Sequence, residues 1–219
     1  MDLSVGGLTA VSATASQYER MLTAAGLTPI AGADEAGRGA CAGPLLAAAV
    51  ILSSDPARQI VGLADSKTLS ATARQRLYGL ILERAEAVAW AEVPAADCDA
   101  LGIQQANLTG LRQAVEALQT RPGFVITDGF AVPGLATPSV GMWKADQVVA
   151  CVSAASIVAK VVRDQVMDEL DAIYPAYGFG AHKGYATAAH QRQLDQLGPC
   201  PEHRLSYGNV AKTIKVETS

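Results

Sequence analysis

The chain contains few residues of the kinds that bind zinc or form disulfides. Its 219 residues include four cysteines and three histidines. No two cysteines form a C-x-x-C pair and no histidines form an H-E-x-x-H motif, which argues against a zinc site and against a disulfide framework. We therefore expect reduced thiols in a cytoplasmic protein. The histidines, expected at the surface or beside a substrate, are His182, His190 and His203.

Long apolar runs and an excess of positive charge are also missing. No stretch reaches the roughly 20 apolar residues that a helix needs to cross a bilayer, and the opening residues MDLSVGGLTAVSATAS lack the basic region of a secretory signal. The formal net charge of -4 argues against a large nonspecific nucleic-acid surface, although a local basic patch can function within an acidic protein. These absences predict a soluble, cytoplasmic protein without membrane contact.

Half of the residues are hydrophobic, which is enough for a substantial core, and their spacing predicts alternating strands and helices. Residues 1–17 are small and polar and predict a flexible lead. The elements expected next are a short helix around Tyr18 to Ala25, strands over Pro29 to Asp34 and Leu45 to Leu52, a helix over 71–87 with Ser70 as its N-cap, a strand over Val88 to Val93 and a helix over 102–119.

The second half of the sequence continues the same alternation. The elements expected there are a short buried strand in GFVITDGF that ends at Asp128, a strand in SVGMWKAD that ends at Asp146, a long helix over 148–173 and a short helix over 188–197. No internal repeat or linker is visible. We therefore predict a single α/β domain over residues 18–219, with a mixed sheet flanked by helices and a C-terminal helical appendage.

Acidic residues recur at or near the ends of three predicted strands. They are Asp34, Glu35, Asp128 and Asp146. The carboxyl ends of parallel strands are where α/β proteins usually build sites, and clustered carboxylates repel unless a divalent cation neutralises them. Oxygen ligands without His or Cys select Mg²⁺ or Mn²⁺. Because neighbouring strand residues point to opposite faces, Glu35 can share a site with Asp34 only if the strand ends or bulges there.

Two alternatives to this four-carboxylate site stay open. Asp before Gly is common in turns, so each aspartate alone is a weak signal. Asp164 competes with Asp146 for the fourth position, but an Arg-Asp pair within a helix is more typical of a local ion pair.

Six motifs in order along the chain carry a resemblance to a known family. They are GADEAGRGACAGP at 32–44, ADSKTLS at 64–70, ITDGF at 126–130, KAD with VSAASIVAKVVRD within 144–164, GFGAHKGYATAAH at 178–190 and HRLSY at 203–207. From about Pro29 to Val210 the chain resembles the prokaryotic type 2 ribonucleases H, the ribonuclease HII family. The family's tail commonly reads HR-x-S-F, where this sequence has Tyr207.

The resemblance implies a ribonuclease H-like fold and an endonuclease that cuts the RNA strand of RNA/DNA hybrids, including single ribonucleotides embedded in duplex DNA. The family's four carboxylates, which hold two divalent ions, map onto Asp34, Glu35, Asp128 and Asp146. One ion would activate a water and the other would stabilise the leaving 3'-oxygen, giving a 5'-phosphate and a 3'-hydroxyl.

The resemblance also implies substrate contacts. Gly37, Arg38 and Gly39 form the turn that senses the ribose 2'-hydroxyl, the group that distinguishes RNA from DNA. Tyr185 packs on the neighbouring sugar and helps to recognise the RNA-to-DNA junction, and without the family it would be interpreted as a half-buried loop aromatic. The remaining contacts are Lys67 and Lys183, as phosphate contacts, and Arg204, which either touches substrate or holds the tail.

Three other functions are weighed against this one. Another nuclease of the same fold would not need the Gly-Arg-Gly turn with Tyr185, and a noncatalytic hybrid-binding protein would not need four carboxylates. A nucleotide-binding protein would require a G-x-G-x-x-G or P-loop motif, which is missing. The sequence predicts a monomer, and no clamp-binding peptide is evident in the C-terminal residues KTIKVETS.

Overall fold

The computed structural model of the protein describes residues 15–214. Most of the predicted N-terminal lead, residues 1–14, and the last five residues of KTIKVETS lie outside the described residues. The strands are β1 (Ile30–Ala36), β2 (Leu45–Ile51), β3 (Ala87–Val93), β4 (Phe124–Asp128) and β5 (Ser139–Met142).

Helices occupy both faces of the sheet and the C-terminal part of the chain. They are α1 (Ala15–Ala24), α2 (Ala71–Arg84), α3 (Ala95–Leu101), α4 (Ile103–Glu116), α5 (Ala150–Ile173), α6 (Phe179–His182), α7 (Ala188–Leu197) and α8 (Gly208–Ala211). The predicted cap of α2 is confirmed, because the Ser70 side chain accepts a hydrogen bond from the Ala73 N–H.

The five strands form one mixed sheet in the order β3-β2-β1-β4-β5. β1 and β2 pair antiparallel, as do β2 and β3, whereas β1, β4 and β5 run parallel. This arrangement confirms the predicted mixed sheet with flanking helices. It also makes β1 the central strand, so the DEAGRG segment that leaves it starts from the middle of the molecule.

Two apolar layers cover the two faces of the sheet. On one face, residues of β2 such as Leu46 and Val50 pack with Ile157 of α5 and Ile81 of α2. On the other face, Ala47 and Ala49 pack with α4. Because Ile157 is fully buried, truncation of such a side chain to Ala would cost about 2–5 kcal/mol of unfolding free energy.

The small residues of β1 let α5 approach the sheet closely. A Cβ added at Gly32 would lie 2.2 Å from backbone atoms of Cys151 and Val152. Only glycine fits this contact, since backbone atoms cannot move aside without displacing the helix. The close approach places Ser156 of α5 beside Asp34, near the end of β1.

The structure differs from the sequence-based expectation at β5 and α3, and the short helices α6 and α8 lie in segments expected to be irregular. The strand predicted to end at Asp146 ends at Met142, and Asp146 lies instead in a short 3-10 turn, Ala145–Gln147. Lys144 adopts a left-handed conformation with φ 58°, which breaks the extended backbone before the turn. Helix α3 was not predicted, because only Ala95 and Cys98 of its seven residues are buried and no apolar period is visible.

Among residues 15–214, no helix combines the length and the apolar character that a membrane span requires.

Candidate active site

The sheet register places Asp34 and Asp128 side by side. The last pair between the parallel strands β1 and β4 joins Ala33 to Thr127, and each aspartate is the next residue on its strand. Asp128 ends β4, while β1 continues to Ala36. Asp146 reaches the same place from the 3-10 turn that follows β5. The predicted convergence of these three residues is therefore confirmed, although Asp146 arrives from a turn and not from a strand.

Asp34, Asp128 and Asp146 each offer an oxygen atom, and these atoms lie within 4.8 Å of one another. Asp34 and Asp146 are buried, whereas Asp128 is partly exposed. The Ala145 N–H donates to Asp128 Oδ1 at 2.7 Å, and Ser153 Oγ of α5 donates to the Asp146 carbonyl at 2.6 Å, so the turn is held from both sides. A donor set made only of carboxylate oxygens fits Mg²⁺ or Mn²⁺.

Glu35 emerges on the opposite face of the sheet. The pairing of β1 with β2 runs from Ala31 to Ala36 without a bulge, and Glu35 pairs with Ala47, a residue of the α4 face. Burial raises the pKa of Glu35 to about 7 against the effect of the Arg38 cation, and the charge of Asp128 raises it further. Because the strand is regular, the Glu35 and Asp34 side chains lie on opposite faces of the sheet. Glu35 is nevertheless close enough to Asp128 for that charge to raise its pKa.

Asn107 of α4 stands beside Glu35. Its side chain is fully buried, and neither amide atom makes a hydrogen bond of ordinary geometry. It is nevertheless close enough to lower the pKa of Glu35. Sequence reasoning missed Asn107, because an Asn within a helical pattern gives no signal of what it faces.

Burial and mutual repulsion raise the pKa values of Asp34 and Asp146 in the acidic cluster. Burial raises the pKa of Asp34 well above its ordinary value, and the neighbouring Glu35 charge adds to this effect. Burial also raises the pKa of Asp146 to about 6, with a further contribution from Asp128. A divalent cation would remove this repulsion, which is the physical reason to expect one here.

These pKa shifts predict how the stability of the metal-free protein depends on pH. Glu35 titrates near pH 7 in the folded protein, against 4.5 for the ordinary group, so the folded state holds more protons than the unfolded state in between. Stability must therefore fall as the pH rises through that interval. With a chelator present, we expect the melting temperature to drop by about 1–3 °C between about pH 6.5 and about pH 8.5, where Glu35 completes its titration.

The interval is chosen to avoid two buried histidines. Burial lowers the pKa of His190, and it lowers that of His203 to about 4, so both add stability as the pH rises towards 6.5. Their contribution levels off about one pH unit above that value, and below this plateau it offsets part of the fall that the carboxyls cause. Saturating Mn²⁺ or Mg²⁺ should flatten the fall, and a melting temperature that rises with pH in chelator would contradict the assigned shifts.

Lys67 lies beside the acidic cluster. Burial acts to lower its pKa, but Asp65 and the charges of Asp34 and Asp146 outweigh this, and the pKa is raised. Asp65 also contacts Asp146 and helps to raise the pKa of that carboxyl. Sequence reasoning selected Lys67 and missed Asp65, although both belong to the same ADSK motif. The Asp65 carboxylate accepts the Lys67 N–H at 2.9 Å and so shapes this loop.

The Gly-Arg-Gly turn directly follows β1. Gly37 is buried with φ 84°, and a Cβ added there would lie 1.8 Å from Arg163 Nε. The Arg38 guanidinium stacks 4.6 Å from the Phe130 ring centroid and donates to Gln104 Oε1 at 2.7 Å. Gly39 is exposed, and nothing lies within 4 Å of a Cβ added to it. The packing of the turn therefore requires glycine at position 37, whereas the backbone at Gly39 is accessible from outside.

Tyr185 and Lys183 lie in the turn that follows α6. Tyr185 is 40% exposed, and the guanidinium of Arg163 lies 5.6 Å from its ring centroid. The Lys183 ammonium forms an ion pair with Asp168 and donates to the Asp164 carbonyl at 3.2 Å. The structure therefore exposes the Tyr185 ring, but it engages the Lys183 ammonium within the protein.

Arg204 is fully buried. Its guanidinium donates to the Gly43 carbonyl at 2.9 and 3.1 Å and to the Arg38 carbonyl at 3.2 Å. The Tyr207 hydroxyl donates to that same Arg38 carbonyl at 2.5 Å. Of the two roles left open for Arg204, this geometry favours holding the tail against the Gly-Arg-Gly turn.

The structure also tests the expectations for Asp164 and for the three histidines. Asp164 forms ion pairs with Lys160 at 2.6 Å and with Arg74 at 3.8 Å, so it is an ion-pair residue, but its partners differ from the neighbouring Arg163 of the sequence interpretation. The expectation that all three histidines lie at the surface or beside a substrate is wrong for His190 and His203, which are buried. Their ring nitrogens pair with each other at 3.0 Å, and this pairing makes burial possible.

Two solved structures have the same overall fold. Ribonuclease H2 from Pyrococcus horikoshii OT3 superposes with a TM-score of 0.72 at 24% sequence identity, covering 84% of this chain and 96% of that chain. Bst-RNase HIII in complex with Mn²⁺ superposes with a TM-score of 0.59 at 21% identity, covering 88% and 71%. The mixed sheet therefore defines a protein of the ribonuclease H-like fold.

Sequence relatives narrow this class to one family. The family model for ribonuclease HII matches residues 31–210. A ribonuclease HII from Cutibacterium acnes is 57% identical over 202 residues, which is 92% of this chain and 99% of that protein. The chain belongs to the ribonuclease HII family. It is a ribonuclease H, an endonuclease that acts on RNA/DNA hybrids.

Proposed function

We propose that this enzyme also cuts on the 5' side of single ribonucleotides embedded in duplex DNA, using two Mg²⁺ or Mn²⁺ ions. The observation that carries the proposal is the short distance along the chain between two features at the end of β1. Asp34 of the acidic cluster lies near the end of this strand, and Gly37 of the Gly-Arg-Gly turn directly follows it. A ribose held by the turn therefore lies beside the carboxylates.

The ions would be held by Asp34, Asp128 and Asp146. Glu35, which the resemblance gives as the fourth carboxylate, leaves β1 on the other face and would ligate an ion only after the end of the strand rearranges. When bound, such ions activate a water for in-line attack on the phosphodiester and stabilise the leaving 3'-oxygen, which gives a 5'-phosphate and a 3'-hydroxyl. The Mn²⁺ in the solved Bst-RNase HIII supports a divalent cation of this kind. Lys67 places a positive charge beside the cluster, where it can contact a phosphate.

The chain's own residues orient the substrate. The open backbone at Gly39 can approach the ribose because no side chain intervenes, and the 2'-hydroxyl then marks the sugar as RNA. The partly exposed Tyr185 ring would pack on the neighbouring deoxyribose, which has no 2'-hydroxyl. Lys183 would contact a phosphate only by exchanging its ion pair with Asp168. Arg204 holds the turn in place from below.

Cleavage of three labelled duplexes tests this function. They are all-DNA, DNA with one ribonucleotide, and a long RNA/DNA hybrid, each with Mg²⁺, Mn²⁺ or a chelator. We expect cleavage of the second and third duplexes with metal only, and none of the first. Cleavage of the long hybrid alone would contradict the proposed activity at embedded ribonucleotides. Cleavage in the presence of chelator would contradict the proposed role of divalent cations.

Gly37 and Gly39 form a matched pair for the turn. Gly37→Ala places a side chain against Arg163 at a positive φ, so we expect a melting temperature several degrees lower and reduced cleavage. Gly39→Ala adds a methyl group to open space, so the fold should be unchanged. Cleavage should nevertheless fall about tenfold, because the methyl group keeps the ribose from the backbone. Unchanged cleavage by Gly39→Ala would count against ribose sensing at this position.

A further inference from the structure

The backbone of the turn that carries Tyr185 accepts hydrogen bonds from groups in the protein interior. Three consecutive carbonyl oxygens each accept a hydrogen bond from inside the protein. That of Lys183 accepts from Arg163 Nη1 at 2.9 Å. That of Gly184 accepts from the backbone N–H groups of Cys41 and Ala42 at 3.0 and 3.2 Å. That of Tyr185 lies 3.0 Å from His190 Nδ1. The backbone of the turn is therefore fixed while the Tyr185 ring faces outwards.

The hydrogen bonds determine the tautomer of His190. A carbonyl oxygen only accepts, so Nδ1 of His190 must carry the proton that it shares with the Tyr185 carbonyl. His190 Nε2 then accepts from His203 Nε2–H at 3.0 Å. His203 Nδ1 is left to accept the Cys200 N–H, also at 3.0 Å. Every ring nitrogen of the pair has a partner only if both rings are neutral.

The surroundings leave His190 no alternative position. It is fully buried, its ring stacks on that of His182 at 4.1 Å, and the Phe179 ring meets it edge-on at 5.7 Å. Burial lowers the pKa of both His190 and His203, in agreement with two neutral rings. Cys41 Sγ also lies 3.7 Å from His190 Nδ1, but sulfur is only a weak hydrogen-bond partner. The strongest partner of Nδ1 is therefore the Tyr185 carbonyl.

We propose that His190 is a positioning residue for Tyr185 and thereby determines how strongly the enzyme favours single embedded ribonucleotides. The inference rests on the proposed function, in which Tyr185 recognises the junction. His190 touches neither substrate nor carboxylates. It acts on the reaction only by fixing the backbone from which the Tyr185 ring projects, and a ring displaced by a fraction of an ångström packs poorly on a sugar.

Two substitutions of His190 distinguish its hydrogen bond to the Tyr185 carbonyl from the general packing of its buried ring. The amide nitrogen of Asn replaces Nδ1, so His190→Asn keeps the donor to Tyr185 and loses the bond to His203. Gln extends one atom further, and its amide oxygen replaces the acceptor Nε2, so His190→Gln keeps the bond from His203. It loses the His190 donor to the Tyr185 carbonyl, which then keeps only the Thr187 N–H at 2.8 Å. Both variants lose one buried hydrogen bond and the ring, so similar decreases in melting temperature are expected.

The measurement is kcat/KM on the single-ribonucleotide duplex relative to kcat/KM on the long hybrid. We expect this ratio to be about tenfold lower for His190→Gln than for His190→Asn, with the Asn variant near the wild type. Equal ratios in the two variants would overturn the inference. Nitrogen-15 NMR of the wild-type protein tests the network without any substitution. We expect an Nδ1–H tautomer for His190, and an Nε2–H tautomer would overturn the inference.

Tyr185→Ala distinguishes failure of the inference from failure of the proposed function. If Tyr185→Ala leaves the ratio unchanged, the junction role of Tyr185 and the positioning role of His190 both fail. If Tyr185→Ala lowers the ratio while the two His190 variants coincide, only the positioning role fails.

Discussion

Asp34→Asn is expected to reduce cleavage of an RNA/DNA hybrid by at least about 10³-fold while leaving the fold intact. Asn keeps the volume of Asp but cannot supply the negative charge that a cation requires. The loss should appear in kcat with both Mg²⁺ and Mn²⁺, measured with saturating metal on a labelled hybrid. A variant that cleaves at the wild-type rate would remove Asp34 from the metal site.

The same substitution should stabilise the metal-free protein. Asp34 is buried beside Glu35 and Asp128, whose charges raise its pKa together with burial. Replacing it with a neutral amide removes this repulsion, so the melting temperature in chelator should rise, and it should rise more at pH 8.5 than at pH 6.5. Greater stability combined with lost activity would show that the acidic cluster is retained for function at a cost in stability.

Asp164→Asn is the matched control. It makes the same chemical change on α5, where Asp164 pairs with Lys160 and Arg74. The Asp164 side chain is not a member of the acidic cluster, so the loss of its ion pairs acts on the stability of α5 and not on the cation site. We therefore expect hybrid cleavage within about threefold of the wild type. A loss as large as that of Asp34→Asn would mean that charge on α5 matters more than the cluster does.

Tyr185→Ala has the second largest expected effect, and it is selective. Cleavage at a single embedded ribonucleotide should fall by about 10- to 100-fold, whereas cleavage within a long RNA tract should change by less than about threefold. The reason is that only the single ribonucleotide requires recognition of the junction with DNA. The two substrates are compared by kcat/KM under identical salt, because phosphate contacts make affinities depend on salt.

Tyr185→Phe serves as the control for this prediction. It retains the ring and removes only the hydroxyl, so its substrate preference should stay close to that of the wild type if ring packing on the sugar is what matters. Equal losses on both substrates for Tyr185→Ala would count against junction recognition. They would indicate instead that the ring supports the turn as a whole.

The sequence was sufficient to predict the elements whose signals are local. Ser70 before an apolar-periodic stretch predicts the start of α2, and the boundaries predicted for α7 match Ala188–Leu197. The carboxylates at 34 and 128 could be placed together because parallel neighbours share one edge of the sheet. These predictions needed only residue type, period and strand direction.

Contacts between distant segments could not be predicted from the sequence. Arg163 lies within the long predicted helix over 148–173, where nothing in the sequence indicates its partners, yet its buried guanidinium donates to the carbonyls of Ala42, Pro44 and Lys183. The burial of His190 likewise depends on His203, 13 residues further along the chain. A polar side chain can be buried only when its partners are present, and those partners become apparent only in the folded chain.

The end of β5 shows a third kind of limit. The segment SVGMWKAD alternates well enough to predict a strand up to Asp146, but Lys144 turns the backbone into the left-handed region. Lysine has no special preference for that conformation, so the sequence carries no local signal of the turn. The tertiary contact of the Ala145 N–H with Asp128 accompanies it.

The most direct test of the account is the position and chemistry of the cut in a DNA duplex that contains one ribonucleotide. The account predicts, with Mg²⁺ or Mn²⁺, a single cut on the 5' side of the ribonucleotide that leaves a 3'-hydroxyl, which a DNA polymerase can extend. A cut on the 3' side that leaves a 2',3'-cyclic phosphate would contradict it, because the ribose hydroxyl and not a water would then be the nucleophile.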